Sequence, residues 1–105
     1  MRAFDEAGAD CLYVPMPPSM DDLARVCAAT AKPVNGLAAG PFAGRSKAEF
    51  AGIGVARISY GGALARKLHT LAYELGKAAL ENGDFAGLAP TVPTGVIETL
   101  TFGKG

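Results

Sequence analysis

Apolar and polar positions along the chain change period three times in the same way. CLYVP, residues 11–15, is a short continuous apolar run. After a PPS turn at 17–19, Leu23, Val26, Cys27 and Thr30 fall at i, i+3, i+4 and i+7, one face of a helix. PVNGLA, residues 33–38, is a second strand-like run, and a short helix carrying Phe50 and Ile53 follows it. VARISY, residues 55–60, is a third. Gly61-Gly62 then lead straight into a helical stripe of Leu64, Leu68, Leu71, Leu75 and Ala79 over 63–82.

The punctuation agrees with these periods. Residues 2–7 have the look of the last turns of a helix, ended by Gly8. Ser19 with Asp22 makes a capping-box-like helix start, its acidic groups on the positive end of the dipole. Lys32-Pro33 stops that helix. AGPFAG, 39–44, is a loop, and Ser46 with Glu49 is an S-x-x-E capping box for a helix closed by Gly52 and Gly54. Gly83 sits where a C′ glycine belongs. Pro90 and Pro93 break a tail that holds Phe85 and Leu88; a short helix is expected over 94–101, and fraying over Gly103-Lys104-Gly105.

The order is β-α-β-α-β-α, with strands starting near 11, 33 and 55, a spacing of 22 residues each time. Strands alternating with helices at this spacing predict right-handed βα units and a parallel sheet. Residues 1–83 are expected to hold these units and 84–105 a C-terminal tail. Three helices cover little more than one face of a sheet whose apolar strands want cover on both. An eight-unit barrel takes about 250 residues, so three units and a tail are what its last part would contain. The chain also begins inside a helical pattern, from which an upstream segment is expected.

Composition narrows the function classes. Half of the 105 residues are hydrophobic, enough for a core. Lys+Arg and Asp+Glu number 10 each, so the formal net charge is zero and nothing points to nucleic acid or an anionic membrane. Near-neutrality with high apolarity favours association. Cys11 and Cys27 lie in apolar patterns and are expected to be buried free thiols in a reducing compartment. The N-terminus has no apolar signal-peptide core and no run approaches a membrane span, so a cytoplasmic location is expected.

RAFDEAGADCLYVP, then PVNGLAAGP, then GVARISYGGALARKLHTLAYEL, in this order and spacing, resemble the C-terminal part of the isocitrate lyase/phosphoenolpyruvate mutase family, most of all its 2-methylisocitrate-lyase-like and phosphonopyruvate-hydrolase-like members. The resemblance covers about residues 2–102. It implies an α/β fold, the sixth to eighth strands of a (β/α)8 TIM barrel. It also implies a Mg²⁺-dependent parent that cleaves or forms C–C or P–C bonds in small 2-oxo or hydroxy acids. In the family the metal carboxylates and the lyase catalytic loop belong to earlier strands, so no metal ligand or catalytic residue is assigned to this chain. Cys11 lacks the catalytic-loop context, and Asp21-Asp22 lies at a helix start rather than a strand end. Asn35 matches the polar position on the seventh strand that faces the small carboxylate substrate, where an amide can donate without adding charge near the metal. The alternative is an Asn capping a turn before Gly36.

Other polar residues have plainer readings. Gly61-Gly62 open a helix N-terminus that could take a phosphate or carboxylate, but a tight βα turn is the favoured account. His69 is a surface or boundary residue of the long helix. Arg57 sits mid-strand and is expected to face the outer layer or pair with a helix acid, a substrate role being the lesser alternative. Tyr13 and Tyr60 are core or rim aromatics, and Arg66, Lys67 and Lys77 a solvated helix face. Family members exchange their last helix between subunits, so the resemblance implies a homo-oligomer through the apolar C-terminal helix. Two accounts stay open. In one the chain is the C-terminal fragment of a lyase or mutase, inactive alone. In the other it is a non-catalytic half-barrel that self-associates or complements another barrel fragment.

Overall fold

The computed structural model describes residues 1–103, which leaves the Lys104-Gly105 end of the expected fraying outside the described residues. The chain falls into two compact units, one from Met1 to Arg66 and one from Lys67 onward. In the first, helix α1 (Arg2–Glu6) precedes strand β1 (Leu12–Tyr13). Helix α2 (Met20–Ala28), strand β2 (Val34–Leu37), helix α3 (Lys47–Gly52) and strand β3 (Arg57–Ser59) follow. Helix α4 (Ala63–Asn82) starts in the first unit and runs into the second, which ends with helix α5 (Thr94–Phe102). The strands are shorter than the apolar runs that announce them, because only their central residues have ladder partners.

The sheet is parallel, in the order β1-β2-β3. Leu12 pairs with Val34 and Tyr13 with Asn35; Asn35 then pairs with Arg57, Gly36 with Ile58 and Leu37 with Ser59. Side chains alternate across a strand. This register therefore puts Leu12, Val34, Gly36 and Ile58 on one face, and Tyr13, Asn35, Leu37, Arg57 and Ser59 on the other.

The core lies on the first face. Leu12, Val34, Leu23 of α2, Phe50 of α3 and Phe42 are buried together, with Val26, Cys27, Ile53 and Val55 packed around them. Phe42 comes from a 3₁₀ turn, Gly40–Phe42, inside the expected loop. The cysteines are half-buried rather than buried. Burial nevertheless pushes the Cys27 thiol up, as expected for a structural sulfur.

The caps account for the short helices. Ser46 accepts from the Glu49 N–H at 3.2 Å and the Glu49 carboxylate accepts from the Ser46 N–H at 2.7 Å, so both halves of the capping box are made. At α2 only one half is made. Ser19 Oγ accepts from the Asp22 N–H, but the Asp22 carboxylate takes the Ser19 hydroxyl proton at 2.7 Å instead of reaching back to the backbone.

In the second unit, Gly83 has φ +62° and its N–H bonds to Ala79 O, while Asp84 N–H reaches Ala78 O. The long helix ends there because a left-handed residue is needed to turn the chain back onto its last carbonyls. Leu68, Leu71, Tyr73 and Leu80 of α4 are all at least half exposed. No helix among the described residues is long and apolar enough to cross a membrane.

Candidate functional site

The open sheet face carries one buried polar side chain. Asn35 is 1% exposed, and both ends of its amide are engaged. Oδ1 accepts from Arg57 Nε at 2.8 Å, and Nδ2 donates to Ser59 Oγ at 2.8 Å. Burying an amide without such partners would cost several kcal/mol, on the order of 2–7. Two side chains of the neighbouring strand meet that cost.

The placement follows from the register. Arg57 is level with Asn35 across the β2–β3 ladder, and Ser59 is level with Leu37, two residues closer to the C-terminal ends of the strands. The amide therefore spans the ladder lengthwise. Its carbonyl end points towards the start of β3 and its NH₂ end towards the finish, about 6.6 Å further along. In barrels of this connectivity the C-terminal ends of the strands carry the chemistry. Tyr13, level with Asn35 on β1, lies on the same face and is 45% exposed.

Arg57 departs from expectation. It neither faces an outer layer nor pairs with a helix acid. It begins β3 on the Asn35 face, and its guanidinium is in none of the ion pairs among the described residues. The carboxylates that do pair serve elsewhere: Asp5 with Lys32, Asp22 with Arg25, Glu49 with Arg45 and Glu81 with Lys77. The face thus combines a buried amide, a hydroxyl, a phenol and a cation without a carboxylate partner.

Asn35 lies within β2 and caps no turn. Its expected freedom to donate is narrower than the sequence implies, since one Nδ2 proton is committed to Ser59. Ser59 itself had no separate role in the sequence. The signal for both neighbours was the 22-residue spacing, which makes residues 35 and 57 level.

At the strand-to-helix junction Gly61 has φ +49°, a conformation glycine adopts freely, and Ala63 N–H closes the turn on Tyr60 O at 2.9 Å. These features account for the glycine pair as a tight turn. His69 is exposed on α4. No group of three or more His, Cys, Asp or Glu side chains able to hold a metal occurs among the described residues. The amide oxygen is already taken by the Arg57 guanidinium, whose positive charge repels a divalent cation, and this cluster supplies none of the carboxylates such a cation favours.

The chain matches the family model described as phosphoenolpyruvate phosphomutase over residues 1–80. It is also similar to a crystal structure provisionally named a lyase/mutase, from Burkholderia cenocepacia J2315. The two are 36% identical with a TM-score of 0.77, over 91% of this chain and 35% of that one. This chain thus spans about a third of the length of the solved structure it matches. Among curated proteins none matches.

Proposed function

The chain belongs to the isocitrate lyase/phosphoenolpyruvate mutase family, and from that premise we propose that it supplies the last three βα units of a (β/α)8 lyase or mutase acting on C–C or P–C bonds of small 2-oxo or hydroxy acids. The observation that carries this reading is Asn35, held between Arg57 and Ser59 with its NH₂ end towards the C-terminal ends of the strands. There it donates to a carboxylate of the substrate. The Arg57 cation beside it favours the same anion. The amide adds no charge of its own, and the positive charge beside it comes from Arg57.

Several features support a share in a larger barrel. A parallel sheet of this kind needs both faces covered, and here the core lies on one face. The outer edge of β1 borders an apolar groove lined by Met1, Phe4, Cys11, Tyr13 and Pro15, where a preceding unit would sit. The Mg²⁺ of the parent, which would polarise the substrate and stabilise developing negative charge, does not fit the residues of this face. Its ligands belong to the remaining units, in a cytoplasmic enzyme.

The chain alone is then inactive. With Mg²⁺ and phosphonopyruvate or 2-methylisocitrate, the purified chain should show no turnover above buffer. Turnover that survives repurification and stops with EDTA would overturn this.

A second reading has its own support. Leu64 and Leu68 are each 56% exposed, on a helix whose apolar stripe is regular. Such a surface favours association of copies through α4, as a homo-oligomeric enzyme or as a non-catalytic assembly. A urea midpoint that rises with protein concentration would support it, and a concentration-independent midpoint with a monomeric mass would exclude it.

A further inference from the structure

We propose that Arg57 is a positioning residue that decides which end of the Asn35 amide faces the C-terminal edge of the sheet, and thereby makes the position a donor towards an unprotonated oxygen of an anionic ligand. The ligand half of this statement rests on the barrel function proposed above; the orientation half stands on the geometry alone.

A primary amide has nearly the same shape in either orientation, so its partners choose between them. Ser59 cannot choose, because a hydroxyl both donates and accepts and would satisfy either end. A guanidinium only donates. With Arg57 Nε 2.8 Å away, the amide end beside it has to be the carbonyl oxygen. The NH₂ group is thereby sent to the Ser59 end, where one proton bonds to Oγ. The second Nδ2 proton is a donor without a partner among the described residues. A donor next to a cation favours a carboxylate, phosphonate or enolate oxygen over a neutral one, because the bond to an anion is charge-assisted.

The test is side-chain NMR on the full ¹⁵N-labelled chain, with the Asn35 NH₂ pair assigned by its loss in Asn35→Asp. The expected result is cross-relaxation from this pair to the Ser59 β protons, and an exchange rate that rises about tenfold in Arg57→Met, the scale of one lost hydrogen bond. Arg57→Lys, which still donates, should restore much of the protection. Backbone amides of β2 should change little, which separates positioning from general loosening. Cross-relaxation of the pair to the Arg57 guanidinium protons, or an Arg57→Met pair unchanged in contacts and exchange, would overturn the proposal. If Arg57→Met does not fold, the contacts in the unaltered chain decide alone: those to Ser59 support it and those to Arg57 overturn it. Neither result depends on turnover.

Discussion

Phe50 of α3 lies directly on Gly36 of β2: a methyl group at Gly36 would stand 3.0 Å from Phe50 Cδ1 and 3.1 Å from Val55 Cγ1. The helix approaches the sheet this closely because the strand has no side chain there. Phe50 is buried and Val34 beside it equally so. The same close approach fixes the strand whose next residue back, Asn35, faces the other way. Gly36→Ala should lower stability by about 1–3 kcal/mol, the usual range for overpacking. The urea midpoint at constant m-value measures it. Combining it with Phe50→Leu should recover part of the loss, since the two changes share one space.

Ser46 should matter more than its exposure implies. It anchors both halves of the α3 cap, and α3 is the helix that presents Phe50. Ser46→Ala should cost about 1 kcal/mol. Circular dichroism during urea unfolding would register it as an earlier midpoint, whereas the neighbouring exposed Lys47→Ala should shift it far less.

Acid should weaken the first unit. Asp5 accepts from the Thr30 hydroxyl at 2.7 Å and lies 3.2 Å from Lys32 Nζ, tying α1 to the approach to β2. The Thr30 hydrogen bond first, and Lys32 second, hold the Asp5 carboxyl below its ordinary value of 3.8. Glu49 is lowered too, first by the Ser46 backbone N–H and then by Arg45. A carboxylate with a lowered folded-state value adds stability that is present above its unfolded value and lost as pH falls through the folded one. The thermal midpoint should therefore be flat near neutrality and fall in the acid range, below about pH 4. In Asp5→Asn combined with Glu49→Gln that acid limb should be shallower.

Asn35→Asp should separate fold from function. A carboxylate keeps the shape of the amide, pairs with Arg57 and still accepts from Ser59. The chain should fold with a midpoint equal to or above that of the unaltered protein. In an assembled barrel the same change removes the donor and repels an anion. Substrate affinity should fall about a hundredfold, the scale of a lost charge-assisted hydrogen bond. An unfolded variant, or one with intact affinity, would speak against the geometry.

Many element ends in both units were legible in the residues because they are set by local signals. Ser19, Ser46, Gly54, Gly61 and Gly83 mark element ends through capping and positive φ, and these need only neighbouring residues. The helix over 63–82 was legible to the residue. The strands were overdrawn because an apolar run extends past the few residues that find a ladder partner. Arg57 was misread because a strand's faces depend on register, and register is a property of the pair. The spacing of 22 contained it: Tyr13, Asn35 and Arg57 are one level of the sheet. What covers the leucines of α4 was not legible, since an apolar stripe states that a surface prefers burial and not against what.

The most direct measurement is turnover by a chimera. The corresponding C-terminal section of the Burkholderia cenocepacia protein would be replaced by this chain, and the purified product assayed with Mg²⁺ against 2-oxo and hydroxy acids beside its parent. The account predicts a folded chimera that turns over the parent's substrate, stops with EDTA and loses activity in Asn35→Asp, while the chain alone stays inactive. A folded chimera without activity, or one indifferent to Asn35→Asp, would contradict it.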